Sequence, residues 1–350
     1  MRFLLTITML LFHQYLAAQT DGINRTMPTS ENFVWAMSLE NPTDEEVTEM
    51  VPLAENYFEV NYDSAFALGE HMMAIDVETT QLSETTVVRQ LYMKALIFNK
   101  KQQNEQAKPL AENALERAEK LGDTRLIAET KSMLGRILAD RQKIQVALQL
   151  FNEAADGFGM VKDSVNWVKN RIYAARVLGY IDSWEVALKI FEQLLPVAQR
   201  TQNTLLLSEV PYWMGVANGH FFLQYYNKIR NNDSEEERSH LDSIGLYYGR
   251  SSDYYEQSKS IAKKHNYRKF RAIALMEQID NIIYYDNAIK GNTKNAVQLA
   301  SYSNFLKELQ PIVDGLNADE FKLLYFFSAG KVAVEQSDYA TSIDYGEKMV

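Results

Sequence analysis

The sequence predicts an all-α protein, built as an α-solenoid in which helical hairpins stack one after another. The main support is a repeat with a period of about 40 residues, which is seen first in a column of four alanines. Short polar residues recur with the same period at the expected starts of hairpins. Only 15 glycines and 7 prolines among 350 residues also favour helices over turn-rich β structure. The alanines are Ala67, Ala107, Ala147 and Ala187, and the polar residues are Ser83, Asp123, Asp163 and Asn203.

These columns have physical roles that every unit of a solenoid requires. A small residue lets two helix backbones approach closely, and a large apolar residue beside it fills the remaining space. A short polar residue at a helix start accepts a hydrogen bond from the free N–H groups there. An irregular helical bundle, the alternative fold, has no reason to keep the columns in register. Further columns are Ala74, Ala114 and Ala154, with Leu194 as the exception; Phe58, Phe98, Leu138 and Leu178; and Ala95, Gly135, Ala175 and Gly215.

Residues 129–155 carry the pattern that relates the chain to a known family. The pattern is Leu-Gly, then a large apolar residue, and after a turn Ala, Phe and Ala. This stretch resembles a tetratricopeptide repeat (TPR), a pair of antiparallel helices, although Lys131 stands where the family often has Trp. Because the pattern recurs, the resemblance implies a TPR-like solenoid along the chain. The matching residues are Leu134, Gly135, Leu138, Ala147, Phe151 and Ala154.

Residues 1–18 are predicted to be a secretory signal peptide. Arg2 supplies a positive start, residues 3–12 form an apolar run too short for a membrane span, and small residues precede a cleavage point after Ala18. The alternative is a buried N-terminal helix. The chain has no cysteine, so it has neither disulfides nor the lipid-modified cysteine of a bacterial lipoprotein. We therefore expect a periplasmic or secreted protein without a membrane span.

After an irregular linker at residues 19–42, the solenoid is predicted to occupy residues 43–350. Thr43 and Glu46 have the spacing of a capping box, which places a helix start there. The last unit stops at Val350 within its second helix, without the polar element that usually caps a solenoid. This predicts that the natural protein continues. The predicted repeats are 43–82, 83–122, 123–162, 163–202, 203–265, 266–315 and an incomplete one at 316–350.

The fifth repeat predicts one elongated hairpin. The interval from its cap, Asn203, to the next matching cap, Asn266, is longer than the period by about 23 residues. Divided between two helices, the surplus adds about three turns to each, so the hairpin projects by about 17 Å. Tyrosines on its flanks either pack the long helices together or dock a partner. They are Tyr225, Tyr226, Tyr247, Tyr248, Tyr254 and Tyr255.

The sequence contains no recognisable carrier of catalysis. Its five histidines include no pair at metal-ligand spacing, and no phosphate loop, nucleophile elbow or kinase signature is present. We expect no enzyme activity, no cofactor and no metal. The formal net charge of −10 argues against nucleic acid as a partner, because nucleic-acid binding needs a basic face.

The resemblance to TPR arrays implies a concave groove, which the first helices of successive repeats line with their second, fifth, ninth, twelfth and thirteenth positions. This surface mixes arginine and tyrosine with acids, which suits an extended peptide or a partner helix; the alternative is a merely solvated inner face. Glu129, Ile172 and Glu209 share the register. The predicted binding residues are Arg89, Tyr92, Asn99, Lys100, Ser132, Arg136, Asp140, Lys169, Arg176, Tyr180, Tyr212 and His220.

One known TPR ligand site is not expected. The family's clamp for a peptide C-terminus needs an Asn on the first helix of the repeat. This chain has Met93, Met133, Tyr173 and Trp213 at those places.

The architecture resembles the exported TPR sensor regions of bacterial signalling proteins. The first hypothesis is therefore an exported module that binds a protein or peptide and serves as the sensor region of such a protein. The second is an envelope-assembly or structural scaffold. The third is the helical part of a cell-wall enzyme, for which these 350 residues supply no catalytic domain.

Overall fold

The computed structural model describes residues 28–75, 83–231, 237–290, 296–316 and 318–349. Within these ranges the chain is helical and contains no strand, so the predicted all-α solenoid with one elongated hairpin is confirmed. The predicted signal peptide lies outside the described residues. None of the described helices is both long and apolar enough to cross a membrane. The helices are α1 (Ser30–Met37), α2 (Asp44–Tyr57), α3 (Tyr62–Ala74), α4 (Glu84–Lys100), α5 (Asn104–Leu121), α6 (Thr124–Asp140), α7 (Ile144–Met160), α8 (Ser164–Tyr180), α9 (Trp184–Thr201), α10 (Thr204–Asn231), α11 (Glu237–Lys264), α12 (Arg268–Lys290), α13 (Ala296–Leu316), α14 (Asp319–Glu335) and α15 (Tyr339–Glu347).

Helices that follow one another in the chain pack together, from α2 with α3 to α14 with α15. The first helices of successive hairpins also touch: α2 with α4, α4 with α6, α6 with α8, and α8 with α10. These contacts arrange the first helices as an inner layer, as in a solenoid whose units bury their faces against their neighbours.

The column of small residues lies where helices approach most closely. From Ala107 onward, the alanines of the column are fully buried. A Cβ atom on Gly135 would lie 2.8 Å from Cε1 of Phe151, so the ring occupies the space that the missing side chain leaves. The first hairpin departs from the column, since Ala67 is partly exposed and Ala65 is buried instead. The column is therefore out of register in α3.

The hairpin turns use residues in the left-handed conformation, which recur with the period of the repeat. Gln102, Gln142 and Asp182 have φ angles of 58°, 58° and 60°. In each turn the following amide donates to the carbonyl oxygen five residues earlier, at 2.8–3.0 Å, which satisfies a free carbonyl at the helix end. Glycine is the usual residue in this conformation, and none of these three positions holds one.

Most of the predicted helix caps are formed. Asp123, Asp163 and Asn203 accept backbone hydrogen bonds from the first turn of the following helix at 3.0–3.1 Å. Ser83 does not cap α4. Its amide and hydroxyl instead donate to Oδ1 of Asp44, at 3.2 and 2.9 Å, and so connect α4 to the start of α2.

The predicted capping box at the start of α2 is present. The Glu46 amide donates to Oγ1 of Thr43 at 3.3 Å, and the Thr43 amide donates to Oε2 of Glu46 at 2.8 Å. The two residues therefore satisfy free N–H groups reciprocally.

Part of the expected linker is helical. Thr29 caps α1 by accepting from a first-turn amide at 3.2 Å, and Ala36 is fully buried. The ring of Phe33 lies 5.6 Å from that of Tyr57, whose hydroxyl donates to the Thr29 carbonyl oxygen at 2.6 Å. The segment thus adds a short helix against the first hairpin. Its eight residues stand between two prolines, which is why its sequence predicted irregular chain.

The elongated hairpin consists of α10 and α11, each of 28 residues, whereas α6, α7 and α8 have 17. The difference equals the predicted surplus of about three turns per helix. Tyr225 and Tyr247 stack across the hairpin at 5.7 Å, and Tyr248 stacks on Tyr285 of α12 at 4.0 Å. These contacts favour the packing interpretation of the tyrosines.

The solenoid closes on itself, because the first hairpin meets the C-terminal helices. Nζ of Lys269 lies 2.6 Å from Oε1 of Glu59, and the Lys269 amide donates to the Glu59 carbonyl oxygen at 3.1 Å. The Tyr62 hydroxyl donates to Oε1 of Glu320 at 2.7 Å, and its ring packs on Phe321 at 6.1 Å. We call these five residues the closure seam. They join the beginning of the solenoid to helices near the other end of the chain.

Candidate ligand-binding cavity

Closure of the solenoid forms a partly open cavity of about 970 Å³. Its wall is formed by α2, α4, α6 and α8, by the beginning of α10, and by the closure seam. The volume is at the upper end of the range of about 300–1,000 Å³ that is typical of ligand sites. The lining is mainly polar, with seven basic and six acidic side chains, whereas the whole chain has 36 basic and 46 acidic residues.

The structure brings most of the predicted groove residues together in this cavity. Glu129 and Glu209, which share the groove register, also line it. The inner-face positions of α4, α6 and α8 therefore face one shared cavity. The predicted residues at the cavity are Arg89, Tyr92, Asn99, Lys100, Ser132, Arg136, Asp140, Lys169, Arg176 and Tyr180.

On α10, the predicted binding residues Tyr212 and His220 do not line the cavity, although Glu209 does. Tyr212 is only 6% exposed, and its ring packs 5.9 Å from those of Tyr255 and Phe270. His220 stacks on Trp184 at 5.3 Å, away from the cavity. The groove register fails here because α11 and α12 pack against α10 and cover the face that would otherwise be open.

Two residues of the groove register, His220 and Ile172, have other surroundings in the structure. His220 Nε2 lies 2.8 Å from Oδ1 of Asp182. Burial lowers the pKa of His220, and the neighbouring carboxylate opposes that shift only in part. Ile172, which shares the groove register, is fully buried in the core.

Several cavity residues were missed by the sequence analysis. The first hairpin supplies Glu55 and Glu59. They correspond to Leu96 and Lys100 of the second repeat, but the separation in sequence is one residue longer than the period. A register search that allowed such a shift in α2 would have found them. No sequence pattern marks Lys269 and Glu320 as cavity residues, because they reach the cavity only when the solenoid closes.

One row of side chains alternates in charge along the inner layer. Arg89, Glu129, Lys169 and Glu209 occupy the same position in four successive repeats. Burial raises the pKa of Glu129 to about 7, and Arg89 opposes the shift. Burial likewise raises the pKa of Glu209, against the attraction of Arg176. The row largely balances its own charge, and its Glu129 carboxyl takes up a proton near neutral pH.

A second row holds two arginines on aromatic faces. Arg136 lies over the ring of Tyr173 at 5.7 Å, and its Nη1 is 3.6 Å from Oε1 of Glu55. Arg176 lies over the same tyrosine at 5.7 Å and over Trp213 at 4.4 Å. Such stacking fixes the plane of a guanidinium while its N–H groups stay available to a carboxylate. Nε of Arg176 is buried without a hydrogen-bond partner among the described residues.

The sequence places the chain in a known family. The family described as "Soluble NSF attachment protein, SNAP" matches residues 21–217, which is more than half of the chain. The chain belongs to the SNAP family. The matched range of this SNAP-family chain includes α4, α6 and α8, which carry most of the cavity lining. No curated protein sequence matches it.

Solved structures of similar fold extend over the whole solenoid. A Rap protein complexed with competence and sporulation factor is 12% identical, with a TM-score of 0.51; the alignment covers 91% of this chain and 89% of that one. A signal transduction ATPase with a tetratricopeptide repeat sensor, from Pyrococcus horikoshii, is also 12% identical, with a TM-score of 0.50; the alignment covers 91% of this chain and 44% of that one. At this identity the likeness concerns the fold. With the family match, it confirms that the SNAP-family chain is a TPR-like repeat protein.

The sequence predicted no metal site, and such a site would need a cluster of ligating side chains. In the part of the chain that the structure describes, no group of three or more His, Asp or Glu side chains is arranged to hold a metal ion.

Proposed function

We propose that this SNAP-family chain is a binding module that holds a peptide or an extended protein segment in its cavity. The observation that carries the proposal is the composition of the wall. Arginines and lysines, tyrosines, and the amides of Asn99 and Asn170 converge from several helices on one cavity. Main-chain amides and charged side chains of a peptide find partners on such a surface, whereas a purely structural ring would fill the space with apolar side chains. The similarity in fold to a Rap protein in complex with a factor supports a binding role.

The arginine row provides the direct test. We expect the double variant Arg136→Glu, Arg176→Glu to lose affinity for captured peptides by at least about tenfold, since each reversal removes a charge-assisted contact. Arg136→Gln, Arg176→Gln should give a smaller loss and keeps a neutral side chain beside Glu55. The measurement is pull-down from a peptide pool, followed by titration calorimetry with the peptides recovered. The matched control is Lys94→Glu, Arg200→Glu, which reverses two exposed charges outside the cavity. Equal capture by all four proteins would contradict a binding role for the cavity.

We further propose that the module is exported and serves as the sensor region of a bacterial signalling protein. The proposal is supported by the signal-like pattern of residues 1–18 and by the fold shared with a protein that carries a TPR sensor. Expression of the whole chain in a bacterium, followed by N-terminal sequencing of the periplasmic fraction, is expected to give Gln19 as the first residue. A product that stays in the cytoplasm and keeps Met1 would contradict export.

An envelope scaffold is the second candidate, and exposed apolar side chains on the last hairpin favour it. Phe327 is 48% exposed, and Tyr339 and Ile343 are each 63% exposed. A protein partner captured equally well by the wild type and by the cavity variants would identify this outer surface, rather than the cavity, as the functional one.

A further inference from the structure

Lys100 lies in the cavity wall with its ammonium over two aromatic rings. Its Nζ lies 5.0 Å from the ring centroid of Phe58 and 5.9 Å from that of Tyr62, beside the closure seam. Within the described part of the chain, its ammonium forms neither an ion pair nor a hydrogen bond. Lys100 is half-buried. Burial of an ammonium without an ion pair or hydrogen bond costs free energy, so its presence in the cavity wall points to a ligand that supplies one.

Three other cavity cations, Arg125 among them, lie within ion-pair distance of a carboxylate, whereas Lys100 has none at that distance among the residues that the structure describes. Arg136 is close to Glu55, and Lys269 is paired with Glu59. Lys169 belongs to the alternating row and feels the attraction of neighbouring carboxylates. The position of Lys100 is unusual by comparison, because it is flanked by basic side chains of two other helices.

The titratable groups that face Lys100 come from five places in the fold. Arg136 on α6 and Lys269 on α12 repel its charge, whereas Glu59 in the α2–α3 turn and Glu320 on α14 attract it. The Tyr62 hydroxyl of α3 stands nearby and donates to Glu320. Burial lowers the pKa of Lys100 to about 7, and repulsion by Lys269 and Arg136 adds to that shift.

We propose that the cavity selects acidic peptides and binds one carboxylate of the peptide at Lys100, beside Arg136 and Lys269. The proposal rests on the peptide-binding function proposed above and names the ligand class. A carboxylate at this place supplies the ion pair that Lys100 lacks and lies close to two further basic side chains that come from separate helices. It also joins α4 and α6 to α12, and therefore stabilises the closed solenoid across its seam.

A peptide fits this wall better than a nucleic acid does. The six acidic side chains of the cavity nearly balance its seven basic ones, so the wall lacks the large net positive charge that a chain of phosphates needs, whereas a single carboxylate needs only one basic site. The same carboxylates, Glu129 and Glu209 among them, accept hydrogen bonds from the amides or the amino terminus of a peptide. The wall thus combines acceptors for N–H groups with one cation, Lys100, that forms no ion pair among the described residues.

Binding at Lys100 has a defined pH dependence. The carboxylate favours the charged form of Lys100, so the complex has the higher lysine pKa and binding takes up a proton. Affinity should therefore be greatest below pH 7 and should be about tenfold weaker at pH 8 than at pH 6. Protonation of Glu129 at low pH contributes in the same direction, and replacement of Lys100 by arginine separates the two effects.

The test uses a pool of random-sequence, N-acetylated octapeptides, once with free C-termini and once amidated, together with an octanucleotide of uridine. Purified protein is incubated with each pool, and bound molecules are identified by mass spectrometry. The peptides recovered are expected to be enriched in Asp and Glu. Loss of recovery on amidation would assign the carboxylate to the C-terminus, and unchanged recovery would assign it to a side chain; both agree with the proposal.

Three variants then test the residue itself. Lys100→Gln should bind the recovered acidic peptides about 10–100-fold more weakly. Lys100→Arg should retain affinity and lose most of the weakening between pH 6 and pH 8. Lys94→Gln, which lies on the same helix and is exposed, should behave as the wild type.

The outcomes separate this proposal from the function on which it rests. Recovery of peptides that show neither a preference for acidic residues nor a dependence on a free C-terminus would overturn the acidic-ligand proposal and leave peptide binding intact. Equal affinities of Lys100→Gln and Lys94→Gln would do the same. Recovery of no peptide from either pool would overturn both. Binding of the oligonucleotide alone would replace the peptide by a nucleic acid.

Discussion

Replacement of Phe151 by alanine is expected to lower the free energy of unfolding by about 3–5 kcal/mol, the usual cost of removing a buried aromatic ring. Phe151 is 1% exposed and fills the space between Gly135 of α6 and the ring of Tyr173, whose centroid lies 5.3 Å away. Its removal leaves a void where two hairpins meet. The measurement is the shift of the urea denaturation curve, with Val146→Ala on the same helix as the control. Val146 is 49% exposed, so its truncation should change stability by no more than about 0.5 kcal/mol.

A second substitution tests the contact between Gly135 and Phe151 directly, and not only the cost of the void that Phe151→Ala leaves. In the wild type, Gly135→Ala should destabilise, because the new Cβ would lie 2.8 Å from the Phe151 ring. In the Phe151→Ala background the ring is gone, and Gly135→Ala should stabilise by about 1 kcal/mol through its higher helix propensity. The sign of the effect of Gly135→Ala thus depends on Phe151. The same sign in both backgrounds would show that the ring and the glycine are not in contact.

This contact also illustrates what the sequence could predict. Gly135 and Phe151 belong to the two helices of one hairpin, and their pairing depends only on the geometry of that hairpin, which the recurring columns encode. The elongated hairpin was predictable for the same reason, since the length of α10 and α11 follows from the spacing between two caps. Local rules that repeat along the chain can be recognised from one sequence.

The positions of the groove residues could be predicted only where they depend on a single hairpin, and not where they depend on how distant helices pack. Arg136 and Arg176 lie at the cavity, where the register of the repeat puts them, because the inner face of a hairpin repeats with the period. Tyr212 lies in the core instead, because the packing of α11 and α12 over α10 is a consequence of the longer hairpin and not of its own residues. Glu55 was missed, because the register shifts by one position in the first hairpin.

Closure of the solenoid is the part that no pattern in the sequence signals. Whether the first hairpin reaches α12 and α14 depends on small rotations between successive repeats, summed over several units. Slight differences in rotation per repeat separate an open superhelix from a closed one. The closure seam therefore could not be read from the residues, although it converts a groove into a cavity.

Replacement of Lys269 by glutamate is expected to open the closed solenoid. The side chains of Lys269 and Glu59 are only 23% and 12% exposed, and Oε2 of Glu59 is buried without a hydrogen-bond partner among the described residues. In the variant, the carboxylate of the new glutamate would lie within ion-pair distance of the Glu59 carboxylate, in a half-buried seam. Breaking a buried pair in this way costs up to about 3–5 kcal/mol. The chain can relieve the repulsion by separating the first hairpin from α12 and α14, without unfolding the hairpins themselves.

Two measurements distinguish opening from general loss of stability. Small-angle X-ray scattering should give a larger radius of gyration for Lys269→Glu than for the wild type. Hydrogen exchange should accelerate at the Lys269 amide, which donates to the Glu59 carbonyl oxygen, and remain slow in α6 and α7. The matched control is Lys189→Glu, which reverses one partner of an exposed pair with Glu185, whose side chains are 65% and 76% exposed. That pair is worth about 0–1 kcal/mol, so its reversal should leave the radius of gyration and the exchange at the seam unchanged. If Lys269→Glu leaves both quantities unchanged as well, the ion pair does not hold the solenoid closed, and the cavity must depend on the contact of Tyr62 with Phe321 instead.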